Sequence, residues 1–187
     1  MIPEFICMTT AWGGRDLTAL QAAIPDLRLC VDEAHDAMQN FLASMRMTNN
    51  PCVHLEDDAV LCDGFYEKVI AAVNQYPNTV INFFSLRKTD YRHTEPFVVP
   101  GYRYMANVCF YIPARMGPAL ANYWYRWRRK SEHPTGYDLM MADFLKEHGL
   151  SYIQWMPHLV NHKVAKSLID PRRSSQRIDK LSNIETL

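Results

Sequence analysis

The sequence has no apolar run approaching the roughly 20 residues that a membrane-spanning helix needs. Its beginning, Met-Ile-Pro-Glu-Phe-Ile-Cys-Met, lacks the basic stretch followed by an apolar stretch that marks a secretory signal. It also contains no internal repeat and no low-complexity segment. We therefore expect a globular protein of the cytoplasm without a membrane span.

The cysteines are odd in number and share no metal-ligand spacing, and four of them lie inside apolar runs predicted as strands. They are Cys7, Cys30, Cys52, Cys62 and Cys109. Free thiols in such runs pack as small hydrophobic groups. A scattered, odd set favours a reducing compartment over a disulfide framework.

Charge is balanced overall, with 20 basic and 20 acidic residues, so the total predicts no polyanionic partner. The basic residues are nevertheless clustered in two places. One cluster comprises Arg126, Arg128, Arg129 and Lys130, and the other Arg172, Arg173, Arg177 and Lys180. The first follows aromatic residues in Tyr-Trp-Tyr-Arg-Trp-Arg-Arg-Lys, a mixture typical of nucleic-acid surfaces. The alternative is a helix with an aromatic core face, whose last turn carries cations that its dipole favours.

Apolar runs of strand length alternate with helical periodicity along most of the chain. Strands are predicted at 4–9, 27–31, 52–55, 79–84, 108–112 and 151–155, and the main helices at 36–47, 65–73, 114–127 and 137–147. Residues 87–104 are polar, aromatic and proline-bearing, which predicts a long functional loop or an irregular hairpin. The alternation predicts the α/β class, with a mostly parallel central sheet between two helical layers.

An acidic turn, Glu56-Asp57-Asp58, follows the predicted strand at 52–55. Ligands of open α/β sheets bind at the carboxyl ends of the strands. Three adjacent carboxylates repel one another unless a cation or hydrogen bonds compensate. Glu56 and Asp58 would face the same side of an extended segment, where they suit Mg²⁺ or Mn²⁺. The alternative is a solvated acidic turn with no ligand.

The stretch Val-His-Leu-Glu-Asp-Asp-Ala-Val at 53–60 resembles the acidic motif of glycosyltransferases with the GT-A fold, most closely the lipooligosaccharide-type family 25. The resemblance implies one Rossmann-like, three-layer catalytic domain over residues 1–169, followed by a polar tail at 170–187 that could serve as a mobile lid. It also implies that this motif binds a divalent metal and the diphosphate of a nucleotide sugar, most simply a UDP-sugar. Asp58 would be the metal ligand, Glu56 would lie near the metal or the ribose, and Asp57 would belong to the donor site.

A second stretch, Trp-Met-Pro-His-Leu-Val-Asn-His at 155–162 followed by Ser167, resembles the segment that closes the catalytic domain of many GT-A enzymes. There a histidine completes the metal or diphosphate site, which makes His162 the candidate in this chain. The alternative is that His158 and His162 are ordinary surface residues at a strand end.

A third stretch, Thr-Gly-Tyr-Asp-Leu-Met at 135–140, places an acid at the start of the helix before the last predicted strand. In enzymes of this fold such an acid often serves as the catalytic base or contacts the acceptor, which makes Asp138 the candidate. The alternative is that Asp138 caps the helix, as aspartate commonly does. Asp143 is a second acid farther along the same helix.

The loop after the first strand would receive the nucleotide in this architecture. Thr9 and Gly13 belong to it, and Arg15 could bind a phosphate with two parallel hydrogen bonds. Asp32, after the second strand, would contact the uracil or the ribose.

The resulting prediction is a glycosyltransferase that uses Mn²⁺ or Mg²⁺ and works in a bacterial or phage-infected cytoplasm. Its acceptor would be a hydroxymethylated base in DNA, contacted by Arg126, Arg128, Arg129 and Arg172. The alternatives are a lipopolysaccharide or another glycan as acceptor, a metal-dependent nucleotidyltransferase or nuclease, or a nucleic-acid-binding module without enzymatic activity.

Overall fold

The structure is a computed structural model that describes residues 1–12 and 14–162. Four features named from the sequence lie outside the described residues: Gly13 of the donor loop, Ser167, Arg172 with its basic cluster, and the whole tail at 170–187.

The described chain contains nine strands, five α-helices and two short 3-10 helices. The strands are β1 (Glu4–Thr10), β2 (Arg28–Asp32), β3 (Cys52–Glu56), β4 (Ala59–Leu61), β5 (Val80–Asn82), β6 (Phe97–Pro100), β7 (Cys109–Ile112), β8 (Ser151–Gln154) and β9 (Val160–His162). The α-helices are α1 (Thr18–Ala23), α2 (Ala37–Arg46), α3 (Phe65–Gln75), α4 (Met116–Trp127) and α5 (Tyr137–Glu147). The 3-10 helices are Asp90–Arg92 and Gly101–Arg103.

Seven strands form one central sheet in the order β2-β1-β3-β7-β5-β8-β6. The pairs β1–β2, β1–β3 and β5–β8 are parallel, whereas β7 is antiparallel to both of its neighbours and β6 is antiparallel to β8. Five strands therefore run in one direction and two in the other. The expected mostly parallel sheet is confirmed in this mixed form. No α-helix lies between β5 and β7, and the chain makes no crossover there of the kind that parallel neighbours require.

Helices cover both faces of the sheet, which confirms the three-layer α/β arrangement and is compatible with a Rossmann-like fold. The apolar sides of α2, α4 and α5 pack with one face of the sheet, and those of α1 and α3 pack with the other. The alternation along β3 shows how one strand serves both layers: Cys52 belongs to the first core, and Val53 and Leu55 belong to the second.

A second, two-stranded sheet was not predicted from the sequence. It pairs β4 with β9 in antiparallel fashion and sets Ala59 opposite His162. Strands of three residues carry too few alternating positions to give a recognisable pattern. The predicted irregular segment at 87–104 also contains one unpredicted strand, β6.

Within the described residues, no helix is both long and apolar enough to cross a membrane. All five cysteines are free, and all but Cys62 are buried.

The contact between α2 and α4 depends on a glycine. A Cβ atom added to Gly117 would lie 2.6 Å from the carbonyl oxygen of Met45, which belongs to the backbone of α2. That distance explains why α4 tolerates a glycine in its first turn. Pro118 is tolerated there as well, because the first turn of a helix leaves its N–H groups without intrahelical partners.

Replacing Gly117 with alanine should therefore destabilise the protein by roughly 1–3 kcal/mol, the usual cost of overpacking. Helix propensity alone predicts the opposite sign, a gain of about 1 kcal/mol. Urea unfolding followed by circular dichroism measures the difference. The control is Ala119→Gly at an exposed position of α4, which should cost about 1 kcal/mol through propensity alone. A Gly117→Ala protein at least as stable as the wild type would contradict the close approach of the two helices.

Candidate metal and donor site

The acidic turn lies at the carboxyl edge of the central sheet. Glu56 is the last residue of β3, and its backbone N–H donates to the carbonyl oxygen of Val108, next to β7, over 2.9 Å. Asp57 and Asp58 form the turn that leads into β4. The position agrees with the general rule that open α/β sheets bind ligands at this edge.

Three groups able to bind a metal meet at this turn. One ligand atom each of Glu56, Asp58 and His162 can be chosen so that all three lie within 4.8 Å of one another. The pairing of β4 with β9 brings His162 here, and its Nε2 is 3.3 Å from Oδ2 of Asp58. Neighbouring ligands of an octahedral ion with bonds of about 2.1 Å are roughly 3 Å apart, so the spacing fits two ligands of one cation.

The second oxygen of Asp58 supports the same interpretation. Oδ1 is buried and has no hydrogen-bond partner among the residues that the structure describes. Buried polar atoms are nearly always paired, so an unpaired carboxylate oxygen here fits a position that can bind a cation. Two carboxylates and one imidazole suit Mn²⁺ better than Mg²⁺, because Mg²⁺ strongly prefers oxygen ligands.

Asp57 is turned aside from this cluster and is held by the loop after β1. Its Oδ2 accepts a 2.9 Å hydrogen bond from the Thr9 hydroxyl, and its Oδ1 lies 3.3 Å from Nε of Arg15. Burial raises the pKa of Asp57, and the hydrogen bond from Thr9 and the charge of Arg15 oppose that rise. Arg15 also reaches Asp58, with Nη2 3.7 Å from Oδ2. A guanidinium therefore lies directly beside the candidate metal ligands.

Glu56 has a hydrogen-bond partner that the sequence did not reveal. The Tyr137 hydroxyl donates to its Oε1 over 2.7 Å, across 81 positions of sequence. Burial and the nearby charge of Asp58 raise the pKa of Glu56, while the hydrogen bond from Tyr137 lowers it. The only sequence signal for Tyr137 was its place next to Asp138 in the stretch at 135–140.

Asp138 lies in the first turn of α5 close to this pair. The N-cap residue of α5 is Gly136, so the interpretation of Asp138 as a helix cap is wrong. After burial and Asp58, the charge of Asp138 also raises the pKa of Glu56, as expected for a carboxylate nearby. Asp143 has a structural partner instead, because its Oδ2 accepts a 2.8 Å hydrogen bond from the indole of Trp127.

Asp32 lies at the end of β2, in register with Thr10 at the end of β1. Its carboxylate is buried and accepts a 2.9 Å hydrogen bond from the backbone N–H of Ala34, which shapes the turn after β2. In the adjoining loops the ring of Trp12 stacks on that of His35 with centroids 3.3 Å apart. Asp32 therefore has a local structural role, and its contact with a nucleotide stays a prediction.

The aromatic residues near the end of α4 divide between core and surface. Tyr123 and Trp127 are buried in the core, as the structural alternative supposed. Tyr125 is 51% exposed.

The arginines beside them are already partly engaged. Arg126 forms a 3.2 Å ion pair with Glu147, and the guanidinium of Arg128 lies 4.2 Å from the centre of the Trp124 ring. Arg129 is exposed. The predicted DNA surface is thus smaller than the sequence suggested, and its role as an acceptor site stays a prediction.

A scan against models of known protein families and a search of curated proteins find no match to this chain. The resemblance of the stretches at 53–60 and 155–162 to GT-A enzymes therefore stays an expectation. What can be said of the site comes from its geometry.

The raised pKa of Glu56 predicts a pH-dependent stability. Without metal, folded Glu56 keeps a proton that the unfolded chain releases above its usual pKa of 4.5. Its contribution to stability is present below that value and is lost as the pH rises through the raised pKa. Glu56→Gln stays neutral, so in chelator its stability relative to the wild type should rise between pH 5 and pH 8. Each pKa unit corresponds to about 1.4 kcal/mol, and urea unfolding at both pH values measures it.

Tyr137→Phe provides the comparison for this experiment. Loss of the Tyr137 hydrogen bond removes a contact that lowers the pKa of Glu56, so the decline in stability with pH should become larger. Identical pH profiles for the wild type and Glu56→Gln would show that Glu56 ionises normally in the folded protein.

Proposed function

We propose that this protein is a metal-dependent glycosyltransferase, which moves a sugar from a nucleoside-diphosphate sugar, most simply a UDP-sugar, to an acceptor hydroxyl. The observation that carries the proposal is the convergence of Glu56, Asp58 and His162 at the carboxyl edge of an α/β sheet. Arg15 lies 3.7 Å from Asp58, and the charge of Asp138 is near enough to raise the pKa of Glu56. The cluster combines ligands for a divalent cation with a cation for phosphate and a carboxylate for proton transfer.

Positive groups of the site would bind the negatively charged diphosphate of the donor. A Mn²⁺ or Mg²⁺ ion bound to Glu56, Asp58 and His162 would stabilise the negative charge that develops on the departing diphosphate. Arg15 can add two parallel hydrogen bonds to a phosphate group. Its ion pairs with Asp57 and Asp58 keep its guanidinium at the site before the donor binds.

The reaction would then form one bond and break one. The acceptor oxygen attacks the anomeric carbon, the bond from that carbon to the diphosphate oxygen breaks, and its electron pair leaves with the diphosphate. The proton of the acceptor hydroxyl passes to the carboxylate of Asp138 if the transfer inverts the anomeric centre. A retaining transfer would not need this base.

For the acceptor we propose a hydroxymethylated base in DNA, and a glycan is the competing class. The support is the surface at the end of α4, where the guanidinium of Arg128 lies 5.7 Å from the ring centre of exposed Tyr125 and Arg129 is exposed. An aromatic face with neighbouring cations can stack on a base and contact phosphate.

Replacing Asp58 with asparagine tests the metal-dependent function. The wild type should be stabilised by a UDP-sugar only when Mn²⁺ is present, by about 2.7 kcal/mol at 100 times the dissociation constant. Asp58→Asn should abolish the metal-dependent part, since an amide oxygen replaces a charged ligand. Thermal unfolding across a panel of UDP-sugars measures this.

The control is Asp63→Asn, an exposed acid in the same part of the chain. Transfer of labelled sugar to hydroxymethylated DNA, unmodified DNA and a lipooligosaccharide identifies the acceptor class. If no nucleotide sugar stabilises the wild type with Mn²⁺, the glycosyltransferase proposal fails. DNA binding that survives in Asp58→Asn would then favour a binding module.

Asp138→Asn tests the base. If the transfer inverts, the turnover number should fall by roughly 10²–10⁴ while donor binding with Mn²⁺ is kept, because only the proton acceptor is lost. Asp143→Asn, on the same helix but bonded to Trp127, should keep its turnover number. Equal turnover in Asp138→Asn and the wild type would exclude Asp138 as the base. Both variants are compared in the transfer assay.

A further inference from the structure

Asn107 is a buried side chain that the mechanism above does not use. It is 3% exposed, and neither its amide oxygen nor its amide nitrogen has a hydrogen-bond partner in the part of the chain that the structure describes. A buried amide with both ends unpaired costs stability, typically about 1–3 kcal/mol for each unsatisfied group. Such a cost in a native structure points to a partner that binds there.

The position of Asn107 is next to the acidic turn. The Glu56 N–H donates to the carbonyl of Val108, and Leu55 is in register with Cys109. Because the two strands are antiparallel, Asn107, which precedes Val108, lies level with Asp57 when this register is continued by one residue. The unpaired amide therefore lies at the carboxyl edge of the sheet, against the strand end that carries the candidate metal ligands.

The backbone that presents Asn107 is strained and specifically braced. Ala106 has a φ of 68°, a left-handed conformation that is unfavourable for a residue with a Cβ atom. The buried amide of Asn82 donates to the carbonyl oxygens of Met105 (3.0 Å) and Ala106 (3.2 Å). Strained backbone that is held by its surroundings is concentrated at functional sites. The turn thus places Asn107 rather than merely joining two strands.

A second unpaired group lies three residues before Asn107 in the chain. The Tyr104 hydroxyl is buried and has no partner within the described residues. Burial raises the pKa of Tyr104. Its ring packs edge-on against Phe110 with centroids 6.4 Å apart.

We propose that Asn107 and Tyr104 form a subsite that binds hydroxyl groups of the donor's sugar ring. An amide offers one donor end and one acceptor end, and each sugar hydroxyl can both donate and accept. The inference rests on the proposed function, since the sugar is the part of the donor that lies beyond the metal-bound diphosphate.

Asn107→Leu separates recognition from a structural role. Removing an unpaired amide should raise the thermal midpoint of the ligand-free protein by about 2–4 °C. Affinity for UDP with Mn²⁺ should be unchanged, while affinity for the best UDP-sugar should fall roughly tenfold through lost hydrogen bonds. Tyr104→Phe, which removes one hydroxyl, should weaken UDP-sugar binding in the same selective way. Calorimetric titration with UDP and with UDP-sugars measures both affinities.

Asn82→Leu is the matched control, because the Asn82 amide is paired. Its loss leaves the carbonyls of Met105 and Ala106 without their donor, so the thermal midpoint should fall. Three results would each overturn the subsite but not the proposed function. They are a lower thermal midpoint in Asn107→Leu, an equal loss of affinity for UDP and for the UDP-sugar, and an unchanged affinity for the UDP-sugar in Asn107→Leu and Tyr104→Phe. Failure of the wild type to bind any UDP-sugar with Mn²⁺ would overturn the proposed function and the subsite together.

Discussion

Mutual repulsion of three consecutive carboxylates at the end of β3 is the constraint on which the rest of this site depends. Different groups compensate the charge of each acid. Asp57 forms an ion pair with Arg15 and accepts a hydrogen bond from the Thr9 hydroxyl. Glu56 accepts a hydrogen bond from Tyr137. Asp58 has Arg15 and an imidazole on one oxygen, and its other oxygen is unpaired within the described chain. The compensation is least complete where a divalent cation would contribute most.

The groups that compensate these negative charges come from distant parts of the chain. Arg15 follows β1, Tyr137 begins α5, and His162 ends β9. The site therefore exists only after the central sheet and the small β4–β9 sheet have both formed. A ligand that binds these groups together binds the folded state alone, so its binding free energy adds directly to stability. The topology would therefore couple the binding of any such ligand to folding.

The sequence predicted those parts of the fold that depend on local periodicity. The strand at 52–55 and the helix at 137–147 were located almost to the residue, because each has a long enough apolar pattern. The acidic turn and its position at the carboxyl edge followed from the order of the elements. His162 was found through a resemblance, since nothing in its own segment predicts the pairing with β4.

What could not be predicted depends on contacts between distant segments. The hydrogen bond from Tyr137 to Glu56 spans 81 positions, and no local pattern encodes it. The antiparallel direction of β7 depends on how an irregular segment returns to the sheet. Asn107 has an ordinary polar context in the sequence, and only the fold reveals that its amide is buried without a partner.

These unpaired groups share one physical consequence with the acidic turn. The buried carboxyl group of Glu56, an unpaired oxygen on Asp58 and an unpaired amide on Asn107 all make the ligand-free protein less stable than its apolar core alone would allow. The left-handed backbone at Ala106 also lowers the stability of the ligand-free protein. Natural proteins commonly accept such losses where a site must be ready for its ligand. Because the unfavourable groups adjoin one another at one sheet edge, a single ligand with a cation, a diphosphate and hydroxyl groups would satisfy all of them at once.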